Sequence, residues 1–324
     1  MKKTLRIVGA TLMCALVPAI VSCGGDDDGP NVPDGPSNSP GGINDGTEQV
    51  EGIFLTSVNG VSINYDAQGR VSSLRDSYNS LIFDYNTGKV IISDDGDIVE
   101  MNVGFNGSGY ISKFSQKWNY KDEDGQYSGS GSGSISYDNA GHLTKIYMKS
   151  NETYRDEDGS GKYSDEETYT FNWKNGNLVS VKVSGYENED GEIYKWTDTY
   201  DIDYSATVNQ FKQVSYNLYE EVIDNDQWAV LGCAGLFGVG TTYLPVSMEY
   251  ETVDTEDHNY GDTYGFTYGL NSNGTIDYER MGSNSTTYYG YDKLNVRASI
   301  ESKNIIKKHF NLFRTHKTRK AVSK

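Results

Sequence analysis

One short unit recurs along the chain: an aromatic residue, usually Asp or Asn next, a Gly two to five positions later, and then an aliphatic residue that restarts apolar and polar alternation. The copies start at Tyr65, Tyr85, Phe105, Tyr137, Trp173 and Tyr268. An Asp or Asn side chain can accept hydrogen bonds from its own turn, and Gly reaches the positive φ that closes a hairpin. The repeat therefore predicts a succession of β-hairpins.

A second kind of corner lies between these turns. It ends in Asp-Gly after an acidic run, at 121–125, 155–159 and 187–191. A chain that reverses alternately at two kinds of corner is predicted to be all-β, an antiparallel up-and-down meander of long hairpins that forms an open or closed barrel. The residues from 110 to 120 alternate with a period of two, which gives the sheet one packed face and one wet face.

The apolar run Trp228–Val239 is the one helix candidate of this domain, and a short helix is predicted near 228–238. We expect it to plug or cap the inner face of the sheet. Pro245, which follows it, is expected at an edge or at the start of a strand, because proline cannot donate to a central ladder.

The first segment has the pattern of a secretory signal peptide. Lys2, Lys3 and Arg6 precede an apolar run that is too short to span a bilayer. The run ends in Ile20-Val21-Ser22-Cys23, which resembles a lipobox, so Cys23 is predicted to carry the lipid that anchors the mature protein. The predicted organisation is 1–22 signal peptide, 23–50 flexible tether, 51–301 β-meander domain and 302–324 basic, disordered tail.

An acidic cluster follows the predicted lipidation site. Asp26, Asp27 and Asp28 resemble the export signal of Bacteroidetes surface lipoproteins, which implies an outer-membrane lipoprotein that faces the cell exterior. The alternative is that these carboxylates are solvated charges of a linker.

Two resemblances concern the domain itself. The turn from Tyr65 to Arg70 resembles the tyrosine-aspartate repeats of Rhs-type proteins. Together with Ala234-Gly-Leu-Phe-Gly238 and Tyr243-Leu-Pro245-Val, the arrangement is similar to a Bacteroidetes lipoprotein family of unknown function that has a porin-like fold. This resemblance covers about residues 51–300; it implies a fold and no activity.

Charge and hydropathy exclude two classes of function. The formal net charge is -18 although the residues from 303 onward are rich in Lys and Arg, so the predicted β domain is more acidic than the whole chain. Such a domain repels phosphate backbones, and nucleic acid is rejected as its partner. A mean hydropathy of -0.62 and the Ser-Gly run 129–134 argue against the apolar outer band of a membrane pore.

The residues that carry chemistry are sparse. The three cysteines are Cys14 in the signal, Cys23 and Cys233, so a disulfide is not expected, and Cys233 is read as a small buried hydrophobe. The four histidines have no zinc-binding spacing, and no nucleophile elbow or phosphate-binding loop occurs. We therefore predict a protein that is not an enzyme, with no catalytic residues, no cofactor and no metal site. The acidic corners lack the ligand spacing of a calcium-binding loop and are interpreted as solvated turns.

Three tryptophans remain as candidates for a ligand site. Trp118, Trp173 and Trp196 could offer flat platforms to sugar rings, although cross-strand aromatic packing explains the same residues. The sequence therefore favours noncatalytic binding of a glycan or an outer-membrane partner, with the membrane reached through the N-terminal lipid. The alternative is a structural surface-coat or envelope-assembly component without a small ligand.

Overall fold

The structure is a computed structural model, and it describes residues 48–298 apart from 95–96, 122–124, 157–158, 257 and 284. The strands are β1 (Glu48–Val58), β2 (Val61–Tyr65), β3 (Val71–Arg75), β4 (Asn79–Asp84), β5 (Lys89–Asp94), β6 (Asp97–Phe105), β7 (Ile111–Lys121), β8 (Gly125–Tyr137), β9 (Leu143–Asp156), β10 (Ser160–Lys174), β11 (Asn177–Glu189), β12 (Glu192–Val208), β13 (Tyr243–Asp254), β14 (Asn259–Leu270), β15 (Ile276–Met281) and β16 (Ser285–Ala298). Two helices, α1 (Tyr216–Ile223) and α2 (Asp226–Cys233), lie between β12 and β13.

The strands form a closed antiparallel barrel. Each strand pairs with its neighbours in the chain, and β1 closes the sheet by pairing with β16, from Glu48 opposite Ala298 to Val58 opposite Tyr289. Closure leaves neither β1 nor β16 with an unpaired edge. The predicted all-β meander is thus confirmed, and the alternative of an open sheet is excluded.

The glycine turns form as their sequence predicts. Asp66 Oδ1 accepts hydrogen bonds of 2.9 Å from the backbone N–H groups of Gln68 and Arg70, and Gly69 has a φ of +77°. The turns that begin at Asn106 and Asp138 repeat this arrangement. We call the end of the barrel that carries these turns the Tyr-Asp end.

The acidic corners lie at the opposite end, which we call the acidic end. In the corner 187–191, Asp190 and Gly191 have φ values of +51° and +102°, as a tight two-residue hairpin requires. Asp190 Oδ1 accepts a 2.7 Å bond from the backbone N–H of Lys162, and Asn188 Oδ1 accepts one of 2.9 Å from that of Gly191. This corner is therefore a hairpin turn whose side chains bond to protein; the corners 121–125 and 155–159 fall partly outside the described residues.

At four positions an aromatic residue near a turn links successive hairpins. The hydroxyl groups of tyrosines and the indole N–H of one tryptophan donate to the carbonyl of the aliphatic residue that follows the preceding turn. The pairs are Tyr85 to Val71 (3.0 Å), Tyr137 to Ile111 (2.6 Å), Trp173 to Leu143 (2.6 Å) and Tyr204 to Leu178 (2.8 Å). The repeat therefore encodes a bond between hairpins as well as a turn.

The helical insertion fills the barrel from the Tyr-Asp end, where the backbone N–H of Val239 bonds to the carbonyl of Gly141. The Trp228 ring of α2 packs edge to face on Phe114 of β7, with centroids 5.2 Å apart. The predicted plug is present, but the prediction of a single helix near 228–238 is wrong in two respects. A first helix precedes it, and the second ends at Cys233, because Gly235 and Gly238 have positive φ values and continue as an irregular segment.

Buried polar groups anchor the plug to the barrel wall. Glu279 of β15 is fully buried and accepts hydrogen bonds from the Ser215 hydroxyl (2.5 Å) and the Tyr289 hydroxyl (2.8 Å). Burial raises the pKa of Glu279 to about 7 despite these bonds. Cys233 is buried nearby as expected, with its Sγ 3.4 Å from the Val214 carbonyl oxygen.

The two faces of the sheet differ in polarity. On β8, Ile135 points into the buried core, so Gly129 and Gly133, which share its parity, also face inward. The serines between them face outward: Ser128, Ser130, Ser132, Ser134 and Ser136. The outer surface of β8 is therefore polar, whereas a surface that meets lipid is apolar. In the described part of the chain, neither helix has the length and apolarity needed to cross a membrane.

Candidate functional site

The interior of the barrel changes in character along its axis. Beside the plug it is apolar, with Ile146 and Val181 fully buried. Toward the acidic end the inward positions of the long strands become polar. They include Glu152, Tyr163, Asp165, Glu167, Trp196, Asp198 and Asp254. The plug and the apolar rows thus form a floor, and the residues beyond it are available to line a site.

Trp118 lies on this polar stretch of the inner wall. Its ring occupies the space that a Cβ atom at Gly129 would need, so the glycine on β8 lets the indole lie across the sheet. The indole N–H donates a 2.7 Å hydrogen bond to Glu152 Oε2. The ring is half-buried, which leaves part of it open to a ligand.

Trp196 repeats this arrangement on β12. Its ring lies across Gly185 of β11 and stacks on Tyr194, with centroids 5.8 Å apart and 25° between the planes. The Tyr194 hydroxyl donates a 2.6 Å bond to Asp254 Oδ2, which holds the pKa of that carboxyl well below its usual range. Trp196 is half-buried as well.

We call the set Trp118, Glu152, Tyr163, Tyr194 and Trp196 the aromatic wall, because all five occupy inward positions on the polar stretch of the long strands. Tyr163 belongs to it because it lies directly opposite Glu152 in the pairing of β9 with β10. The wall combines broad ring surfaces with a carboxylate, groups that respectively contact apolar surfaces and accept hydrogen bonds.

Trp173 lies elsewhere. Its indole N–H bonds to the Leu143 carbonyl, and its ring stacks on His142 with centroids 4.3 Å apart. Leu143 and Glu152, the partners of Trp173 and Trp118, are nine positions apart on β9, which corresponds to about 30 Å. The structure therefore brings Trp118 and Trp196 to the polar half of the interior and places Trp173 at the Tyr-Asp end.

Two carboxylates with raised pKa values lie on β10, at the inward positions that follow Tyr163. Asp165 and Glu167 are only 4% and 6% exposed. Glu167 Oε2 accepts a 2.8 Å bond from the Tyr169 hydroxyl, and Asp165 accepts one from Ser150. Burial raises the pKa of both, that of Glu167 to about 7. Because both are buried and accept hydrogen bonds from neighbouring protein side chains, they are poorly placed to exchange protons with a substrate.

The histidines and the other described metal-ligating side chains form no catalytic or metal-binding cluster. His142 and His258 each pair with the Asp four positions earlier, Asp138 at 2.9 Å and Asp254 at 3.0 Å. Among the residues that the structure describes, no three His, Cys, Asp or Glu side chains are grouped so that they could hold a metal ion. Cys23 and Asp26 to Asp28 lie outside the described residues.

Sequence reasoning missed Glu152, the acidic member of the aromatic wall. Glu152 is separated from Trp118 by more than thirty positions, and only the register of β7, β8 and β9 brings the two together. Strict alternation on β9, with Ile146 and Met148 buried, was the signal that could have placed Glu152 on the inner face.

Comparisons with known proteins reveal similarity in structure alone. No protein-family model matches the chain, and no curated protein matches its sequence. A porin-like protein from Bacteroides vulgatus ATCC 8482 is similar in structure, with a TM-score of 0.45 and 16% identity over 74% of this chain and 99% of that one. A porin-like protein from Bacteroides uniformis ATCC 8492 has a TM-score of 0.43 and 14% identity over 76% of this chain and 96% of that one. The activity of this chain has to be inferred from its own residues.

Proposed function

We propose that this protein is a noncatalytic binding protein, anchored at the cell surface by a lipid, and that its aromatic wall binds a neutral glycan. The observation that carries the proposal is the pair Trp118 and Trp196. Each indole lies across an inward glycine, is half-buried, and has a carboxylate or a second ring beside it.

The geometry suits a sugar for two reasons. The face of a pyranose ring carries C–H groups that can pack on a flat aromatic ring, and Trp has the largest such surface. The hydroxyl groups at the ring edge are donors that need acceptors, and Glu152 supplies carboxylate oxygens next to Trp118. Glycine at positions 129 and 185 keeps both rings flat against the wall, which lowers the entropy lost on binding.

The charge of the wall narrows the class of glycan. Glu152 belongs to it, and Asp254 accepts the hydrogen bond of Tyr194. An anionic glycan, whether sulfated or rich in uronic acids, would meet like charges in a partly buried site. Neutral glycans are therefore favoured over anionic ones.

The proposed location comes from the first segment of the chain. The lipobox-like sequence that ends at Cys23 supports lipid anchoring, and Asp26 to Asp28 support export to the cell exterior. A binding site on an anchored surface protein has access to extracellular polysaccharide.

The test is calorimetric titration of the chain from Gly24 to Lys324 with neutral oligosaccharides and with matched sulfated or uronate-containing ones. We expect binding of a neutral oligosaccharide that weakens about tenfold or more in W118A and in W196A, as is typical when an interface aromatic is truncated. Y288A is the matched control, because Tyr288 is 63% exposed and faces outward. Equal losses in all three variants, or equal affinity for anionic oligosaccharides, would contradict the proposal.

The alternative is a structural component of the surface coat or of envelope assembly. It is supported by the long outward hydroxyl face of β8, which offers hydrogen-bonding groups to another macromolecule. This alternative predicts no binding of any oligosaccharide and co-purification of an envelope protein. Serine-to-alanine substitution at Ser130 and Ser132 should then disrupt the association, whereas W118A should leave it intact.

A further inference from the structure

A cavity of about 450 Å³ lies between the helices and the short strands of the barrel. Its wall on the barrel side comes from β2, β3, β4 and the turns beside them, and its other wall comes from α1, α2 and the residues that join them. The volume is within the range of pockets that hold small organic ligands. The aromatic wall contributes no residue to it.

The floor of the cavity is apolar. Leu74, Leu81 and Val230 line it and are almost fully buried. Val61 adds a partly buried side chain from β2. Such a floor gains free energy by covering the apolar part of a ligand.

The rim is acidic. Asp76, Glu220, Asp224 and Asp226 line the cavity together with one cation, Arg75. Burial, followed by repulsion from Asp226, Glu221 and Asp224, raises the pKa of Glu220 to about 7. A cation close to Glu220 would offset that repulsion.

The cavity wall is organised by hydrogen bonds within the protein. The Tyr216 hydroxyl donates to Asp226 Oδ1 at 2.8 Å and accepts from Asn59 Nδ2 at 2.9 Å. These bonds tie α1 to the start of α2 and to the turn after β1. The concave surface is therefore held in place without a ligand.

We propose that this cavity binds a small organic cation, an amine carried on an apolar body, with the ammonium group among Glu220, Asp224 and Asp226 and the apolar body on the floor. Burial determines the orientation, because most of the apolar lining residues are almost fully buried whereas Asp224 and Asp226 are exposed. The site is separate from the proposed glycan site and does not depend on it.

The probe is 4-phenylbutylamine, with 4-phenylbutanol and 4-phenylbutyrate as neutral and anionic probes of similar shape. Calorimetric titration at pH 7.5 into the chain from Gly24 to Lys324 is expected to show that the amine binds about tenfold tighter than the alcohol, with no binding of the carboxylate. The preference for the amine over the alcohol should shrink in 0.5 M salt, because the electrostatic screening length falls to about 4 Å.

Two kinds of variant test the placement. E220Q and D226N remove charge at nearly constant shape, and each should weaken the amine about tenfold while leaving the alcohol unchanged. V61F fills the cavity and should weaken both the amine and the alcohol. D201N on the outer face of β12 is the control, and a thermal unfolding scan of each variant establishes that it folds.

The proposal is overturned if the amine and the alcohol bind equally, or if neither binds. It is also overturned if V61F and E220Q fold and bind the amine as the parent does. If the amine binds only to a chain that ends at residue 301, the basic tail competes for the cavity. The tail is then its occupant, and the proposal of a small amine is wrong. None of these results depends on Trp118 or Trp196, so the glycan proposal can fail or hold independently.

Discussion

The hydroxyl group of Tyr137 donates a 2.6 Å hydrogen bond to the carbonyl of Ile111, the residue that opens the strand after the previous glycine turn. Tyr85 and Tyr204 make the equivalent bond in other hairpins, to the carbonyls of Val71 and Leu178. The tyrosine of the repeat therefore joins one hairpin to the next, while the Asp and Gly shape the turn. This explains why an aromatic with a polar tip recurs at that position.

We expect Y204F to lower the free energy of unfolding by about 1 kcal/mol, because it removes one partly buried hydrogen bond to the Leu178 carbonyl without changing the ring. Urea denaturation followed by far-UV circular dichroism measures the change. Y288F is the control, since Tyr288 is exposed and faces outward. An equal change in both variants would mean that the bond adds no stability.

The alternating Gly and Ser residues of β8 give a second prediction. A Cβ atom at position 133 would overlap the Phe114 ring and the Tyr147 carbonyl, so G133A should destabilise the barrel by about 1 to 3 kcal/mol. S134A, one residue further along and facing outward, should change stability by less than about 0.5 kcal/mol. Thermal or urea unfolding distinguishes the two, and a larger loss in S134A would reverse the assignment of the faces.

The buried Glu279 makes stability depend on pH. A carboxyl whose pKa is higher in the folded state than its ordinary value of 4.5 binds its proton more tightly when folded. The stabilisation that this carboxyl gives the folded state is fully present below about pH 4.5 and is lost as the pH rises through about 7. Because Glu167 and Glu220 shift in the same direction, the stability of the parent protein should fall across this window.

The variant E279Q isolates the contribution of this group. Glutamine stays neutral, so the stability of E279Q relative to the parent should rise between pH 5 and pH 8, by roughly 3 kcal/mol. Weaker hydrogen bonding to Ser215 or Tyr289 would lower the stability of E279Q by the same amount at every pH. It would not change the slope of stability against pH. Urea unfolding at several pH values gives the slope, with E249Q on the outer face as control. Parallel curves for E279Q and the parent would rule out this role.

The lipid anchor is tested by C23A. We expect this variant to lose the membrane fraction that the parent occupies, because the acylated thiol is the predicted attachment point. Cell fractionation and immunoblotting measure the distribution. A D26A, D27A and D28A variant should remain in the membrane fraction but lose accessibility to external protease; full accessibility would make these residues simple linker charges.

The local signals of the sequence were sufficient for the turns and the strand order. Asp66 and Gly69 adopt the predicted turn because their hydrogen bonds lie within five residues of each other. Pairing of β1 with β16 could not be predicted, since it depends on total twist and strand number and joins residues more than two hundred positions apart. The strand β1 also begins at Glu48, inside the segment predicted as tether.

The helix and the site show where local signals end. The segment Tyr216–Ile223 contains two tyrosines, one valine and one isoleucine, which favour strands, and its burial in the barrel overrides that propensity. Trp173 was grouped with Trp118 and Trp196 on residue type, but it occupies a tyrosine position of the repeat and bonds to Leu143. The three tryptophans are distinguished by strand register and by position in the repeat, which residue type alone does not reveal.

The closure of the barrel by β1 and β16 also fixes the end of the barrel at which the proposed lipid anchor would attach. The chain enters the first strand at Glu48, level with Ala298 at the Tyr-Asp end. If the predicted tether from Cys23 behaves as a random coil, its span is roughly 27 Å, and it would attach on that side. The acidic end, with the aromatic wall and the amine cavity, would then face away from the bilayer, toward the medium from which ligands arrive.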